Sequence, residues 1–230
     1  MKKNSTTMEY QKAIEYIFQM IKEGRLIVGS KIPSERDIAE TLGIGRNSTR
    51  EAISILRGMG LIESMHGSGN YISKDTGRSI LSIVSVMLAL GSISMMDIVE
   101  FRRVMARAII DLIFLHGLSE EDREYIEKIV NEMETHSKDD LVELDQKFHV
   151  ALIHATQNPL FITVMEAITE VYHESMQKVI RESDEETLSR LRMLHGKIYR
   201  SIVEKNKDAC MKYIEEHYDL VESKLFGALP

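Results

Sequence analysis

The thirty residues from Pro33 to Ile62 constrain this chain most; they read PSERDIAETLGIGRNSTREAISILRGMGLI. Ser34 and, three residues on, Asp37 occupy the two positions of a capping box, in which each side chain satisfies the other's orphaned backbone N–H. A short helix is expected from there through Ile38, Ala39 and Leu42 to Gly43. The turn Leu42-Gly-Ile-Gly45 then leads into another helix from near Arg46, with Ile53 and Leu56 facing inward. Neither segment is long enough to hold a helix by itself, so the two must pack on each other and on something else.

The flanks supply the rest. Between Met8 and Glu23, Ala13, Ile14, Ile17, Phe18 and Ile21 recur at helical spacing, and Gly24 ends the run. Leu26–Pro33 reads as a short extended piece entering a turn. Beyond Gly58 and Gly60, Leu61–Ser64 and Asn70–Ser73 flank the glycine-bearing turn His66–Gly69, which reads as a β-hairpin. Three helices followed by a hairpin make the outline of a winged helix-turn-helix. The polar, glycine-bearing stretch Lys74–Ser79 reads as a linker. From Ile80 to Phe226 the pattern is helical throughout, about seven helices, with breaks at Gly91–Ser94, Gly117–Ser119, Ser137–Asp140, Asn158–Pro159, Ser183–Asp184 and Lys205–Asp208. The expected architecture is therefore mainly α: residues 1–75 form a winged helix-turn-helix, and residues 76–230 an all-α antiparallel bundle.

Charge divides along the same line. Residues 1–75 hold 11 basic and nine acidic side chains, a balance of +2, which leaves −9 of the net −7 to the remainder. A DNA-binding module joined to an acidic partner domain shows this asymmetry. Cys210 stands alone, so no disulfide forms within the chain and a reducing compartment is expected. The polar run after Lys2 and Lys3 is no secretory signal, and Ile80–Leu90 is too short to span a bilayer. The expected location is the cytoplasm.

The Pro33–Ile62 segment resembles the DNA-binding domain of the GntR superfamily of bacterial regulators, through its PSER, its R…TREA…L and the GxG of the wing. The match runs from about Tyr10 to Ser73. It implies base or phosphate contacts from Arg36, Arg46, Asn47, Ser48 and Arg50, and from His66 and Gly67 at the wing tip. The chemistry agrees. A recognition helix presents its first turn to the major groove, arginine forks onto guanine, and glycine permits close approach to the minor groove.

The second half resembles, more loosely, the all-helical FCD-type domain of the fatty-acid-regulator (FadR) branch of that superfamily. The matching pieces are Glu100-Phe-Arg, Asp145-Gln-Lys-Phe-His, Asn158-Pro, Leu194-His195 and Tyr213-Ile-Glu-Glu-His217. Asp145 and His149 lie four residues apart, about 40° around a helix, so both can face one ion. An ordinary helical ion pair has the same spacing. The resemblance joins them to His195 and His217 as a divalent-metal set. Three imidazoles and a carboxylate suit zinc or nickel first, then manganese or iron, and not calcium or magnesium. Arg102 falls where the family could hold an effector carboxylate; the alternative is a surface salt bridge with Glu100. The family commonly places an acid four residues further on, where this chain has Ala106.

The expectation is thus a DNA-binding repressor, a homodimer on a palindromic operator, released or tightened by a small carboxylate. The rival readings are a metal-dependent hydrolase, since an Asp/His set with an open position can activate water, and an architectural DNA-binding protein.

Overall fold

A computed structural model describes residues 8–75 and 77–227. The chain divides into two compact units, Met1–Ser79 and Ile80–Pro230.

The first unit holds α1 (Glu9–Lys22), α2 (Glu35–Leu42), α3 (Arg46–Gly58) and the antiparallel pair β1 (Ile62–Met65) and β2 (Gly69–Ile72). Ser34 and Asp37 form the expected capping box, and Gly43 closes α2 in the left-handed region at φ 62°. Its core joins Ala13, Ile17, Ile38, Ala52, Ile53, Leu56 and Ile62. The buried face of α1 is Ala13, Ile17 and Met20, and Phe18 and Ile21 are exposed instead. Each stands one position beyond a buried residue, so it is rotated by about 100° off the stripe. The piece before α2 is also less regular than expected. It turns at Gly29 (φ 80°), where the Gly29 N–H donates to the Ile72 carbonyl. The segment then runs beside β2, with Ile32 N–H donating to Asn70 and Ile72 N–H donating to Ser30. Lys31 and Tyr71 form one isolated bridge there.

The second unit contains α4 (Arg78–Ala89), whose first two residues precede the boundary, α5 (Met95–His116), α6 (Glu120–Thr135), α7 (Lys138–Ala155), α8 (Pro159–Glu182), α9 (Glu185–Val203) and α10 (Lys207–Phe226). The expected linker is shortened by α4, whose first turn takes Arg78 and Ser79; the Asp75 carboxylate accepts from the Arg78 N–H and so serves an otherwise orphaned donor. Likewise α7 begins at Lys138, because Ser137 is its cap, accepting from the Asp140 N–H. Asn158 caps α8 by accepting from Leu160 and Phe161 N–H, with Pro159 in the first turn. Short connections make neighbours antiparallel: α9 lies on α10, α7 between α6 and α8, and α5 on α10, α7 and α8. Phe148, Ile110, Ile113, Ile126 and Ile180 sit in the fully buried centre. By contrast α4 buries none of its residues and leaves Ile83, Val86 and Met87 exposed at helical spacing, with Leu90 exposed just beyond its end. Among the described residues no helix is long and apolar enough to cross a membrane.

Candidate functional site

Two groups of side chains carry chemistry. In the first unit, Arg46 and Asn47 open α3 and are exposed, and His66 and Gly67 form the exposed hairpin tip, with Gly67 at φ 71°. Arg50 reaches Glu35 at 3.1 Å and Arg36 reaches Glu40 at 3.0 Å; all four are surface groups, so neither pair resists exchange for another partner. Ser48 is placed differently. Its hydroxyl donates to Glu9 at 2.8 Å, and the same carboxylate oxygen accepts the Gly45 N–H at 3.1 Å. Gly45 has no side chain to cap α3, and Glu9, 36 residues earlier, does that work. These two hydrogen bonds hold the Glu9 carboxyl below its ordinary range. Nothing near Glu9 in sequence announces the role. Arg57 donates to Ser54 on its own helix and to Ser64 on β1.

In the second unit, α7 supplies Asp145 and His149, α9 supplies His195 and α10 supplies His217. One ligand atom from each lies within 4.8 Å of all the others. His195 Nε2 is 3.0 Å from His217 Nε2 and 3.3 Å from Asp145 Oδ1, and His149 Nε2 is 3.8 Å from that oxygen. A tetrahedral ion with bonds of ~2.0–2.1 Å spaces its ligands by about 3.3 Å, so the separations suit one small cation. Asp145, His195 and His217 are buried, and Phe148 packs on His195 with ring centroids 4.7 Å apart. Burial disfavours charge on each group. It pushes Asp145 up to about 7, against the pull of Arg102. Burial also takes His217 down to about 4 and His149 and His195 well below the ordinary histidine value. Burial thus favours the neutral imidazoles, the form that ligates metal. Asp145 Oδ1, His195 Nδ1 and His217 Nδ1 have no hydrogen-bond partner among the described residues. Four convergent donors, one of them an orphaned carboxylate oxygen, are a fit for a divalent ion.

Arg102, on α5, is not a surface residue paired with Glu100. It is 4% exposed, donates to Thr169 on α8 at 2.7 Å and lies 4.6 Å from the Tyr172 ring centroid. Its Nε has no partner, and among the described residues no carboxylate is within ion-pair distance of it. The next residue is the contrast: Arg103 binds Glu215, Asp219 and Glu222 of α10, all within 3.2 Å. A cavity of about 30 Å³ opens beside Arg102, His149 and His217. Of the other histidines, His173 bonds to Gln177 and His154 to Glu166, and neither lines that cavity. Thr169 and Tyr172 escaped sequence reasoning because α8 has no polar pattern that singles them out.

Comparison with known proteins agrees with both units. Residues 9–72 match the family described as bacterial regulatory proteins, gntR family, and residues 97–220 match the FCD domain. The HTH-type transcriptional regulator LutR of Bacillus subtilis is 29% identical over 215 residues, covering 90% of this chain and 97% of LutR. The Glc operon transcriptional activator of Escherichia coli K12 is 24% identical, covering 92% of this chain and 86% of its own. A solved structure of Streptococcus agalactiae GntR aligns over 92% of this chain and 98% of that one, with a TM-score of 0.68 and 25% identity. The FCD match alone spans more than half the chain, and with the reader ahead of it the assignment is to a regulator and not to a hydrolase: this protein belongs to the GntR family of transcription regulators, whose members bind DNA and small-molecule effectors, and carries an FCD domain.

Proposed function

We propose that the chain is a repressor whose reader, residues 1–75, places Arg46, Asn47 and Arg50 against base edges, with Arg36, Ser48, His66 and Gly67 on the backbone and minor groove. Exposure of Arg46, Asn47 and Arg50 supports the reading, as does the helix N-terminus itself, which favours phosphate. Residues 76–230 form the sensor. There Asp145, His149, His195 and His217 hold a divalent ion, zinc or nickel ahead of manganese or iron by ligand type. A small carboxylate effector lies between that ion and Arg102.

The observation that carries the reading is the buried guanidinium of Arg102, which has an unpaired Nε and, among the described residues, no carboxylate within ion-pair distance. A buried cation is costly unless paired, and an effector carboxylate supplies the pair. The ligand set also explains how occupancy is transmitted. Its members stand on α7, α9 and α10, and Arg102 stands on α5, so an acid bridging ion and arginine favours one arrangement of four helices over others. Only such a difference in affinity between arrangements shifts DNA binding. The protein acts as a homodimer on a palindromic operator, one recognition helix per half-site, and the exposed apolar stripe of α4 supports self-association in the second unit.

Metal analysis of purified protein, with titration of the operator complex by small carboxylic acids, tests the sensor. Stoichiometric metal and an acid-dependent change in DNA affinity are expected. A metal-free protein whose DNA affinity ignores every acid overturns the proposal.

A further inference from the structure

The cavity at Arg102 is one-sided. Nine of its thirteen lining residues are apolar, Ala106, Ile110, Leu152, Met165 and Ile214 among them. Its polar lining is Arg102, His149, His217 and Tyr218, and among the described residues no Asp, Glu, Asn, Gln, Ser, Thr or Lys joins them. Two of the four polar residues, His149 and His217, belong to the cation cluster. A ligand here meets polar atoms at one end and hydrocarbon over the rest of its surface.

We propose, resting on the carboxylate-effector reading above, that the effector is a small monocarboxylate with a short, unsubstituted hydrocarbon tail. Its carboxylate takes the free Nε of Arg102, and the tail lies among Ala106, Ile110, Ile214 and Met165. With the ion and Arg102 both engaged by that one carboxylate, a second carboxylate finds no further cation. The neighbouring Arg103 is already held by three acids of α10, and among the described residues no lysine lines the cavity. A polyhydroxylated acid fares no better, since each hydroxyl buried against these side chains forfeits its hydrogen bonds with water, about tenfold in affinity apiece. The volume, about 30 Å³, is room for one or two waters, so the tail is short and the surrounding side chains must yield to admit it. The flexible thioether of Met165 is the group best able to yield space. Ala106 gives the tail its start, and an acid at that position would have closed the apolar side.

Calorimetric titration of the full, zinc-loaded chain with acetate, butyrate, succinate and gluconate tests this. Each buried methylene is worth about fourfold, so butyrate should bind about fifteenfold tighter than acetate. Succinate and gluconate should bind at least tenfold more weakly than butyrate. Ala106→Leu, which fills the start of the tail space, should compress the butyrate-to-acetate ratio to under threefold. Succinate or gluconate matching butyrate, or a ratio untouched by Ala106→Leu, overturns the apolar-tail inference and leaves the carboxylate reading standing. If none of the four acids binds, or if Arg102→Met binds acetate and butyrate as the native chain does, the carboxylate reading falls and this inference falls with it.

Discussion

Arg46 and Arg50 are the side chains whose loss should be felt most directly on DNA. Replacing either by alanine should cost ~1–3 kcal/mol of specific binding for each bidentate base contact removed. Gel-shift titration at fixed salt measures it, and unchanged operator affinity in both variants would refute the base-reading role. The Glu35 pair does not protect Arg50 from this loss, because the arginine is 64% exposed. Glu9 acts one step back. Its depressed pKa means that the folded reader gains stability from the ionised carboxylate above the ordinary Glu value of 4.5, and that this gain fades as pH falls through the lower folded value. Glu9→Gln should therefore be less stable than the native chain at pH 7, with the gap in melting temperature closing below the Glu range. A constant gap from pH 7 to pH 3 would show that Glu9 contributes by shape alone. The structure also makes Glu9 a positioning residue for Ser48, so operator affinity should drop in the same variant.

At the scale of helices and turns, local signals were legible and distant ones were not. The Ser34–Asp37 box and the Asn158-Pro159 start are written within three residues of sequence and formed as read. Asn158→Ala should accordingly cost about 1 kcal/mol, seen as a fall of a few degrees in melting temperature. The buried face of α1 differs from the expected one because Phe18 and Ile21 are as apolar as Met20, and periodicity alone does not decide which neighbouring stripe meets a core. The start of α4 is not legible in the sequence because Asp75, whose carboxylate accepts from the Arg78 N–H, sits inside what composition marks as linker. Arg102 could not be read as buried, since its partner Thr169 is 67 residues away on another helix. The metal set lay between these cases. Asp145 and His149 share a helix face by spacing, whereas His195 and His217 joined them through resemblance, and the bundle brings all four together. Because their helices are distinct, His195→Ala should weaken metal binding and blunt the effector response while leaving effector-free DNA affinity largely intact. Metal content and acid titration of the DNA complex check both parts; normal metal and normal response would reduce the cluster to a packed core.

For the molecule as a whole, one recognition helix per chain and an unburied apolar helix argue for pairing. Val86→Glu, which puts a charge in the middle of the α4 stripe, should shift the sedimentation coefficient of a micromolar sample from dimer to monomer. Its operator affinity should fall with it, because two half-sites about one helical turn apart are then no longer held by one particle. A native chain that sediments as a monomer at that concentration would refute the pairing. The cavity at Arg102 adds a consequence for time course. With about 30 Å³ of room and Arg102 and His217 each under 5% exposed, no organic acid fits without some parting of the helices around it. Arrival is then gated by how often the bundle opens and not by how often molecules collide. Stopped-flow traces should show an association rate that climbs with acid concentration and then levels off at the opening rate, so that a sudden rise in the acid reaches the operator with a fixed delay.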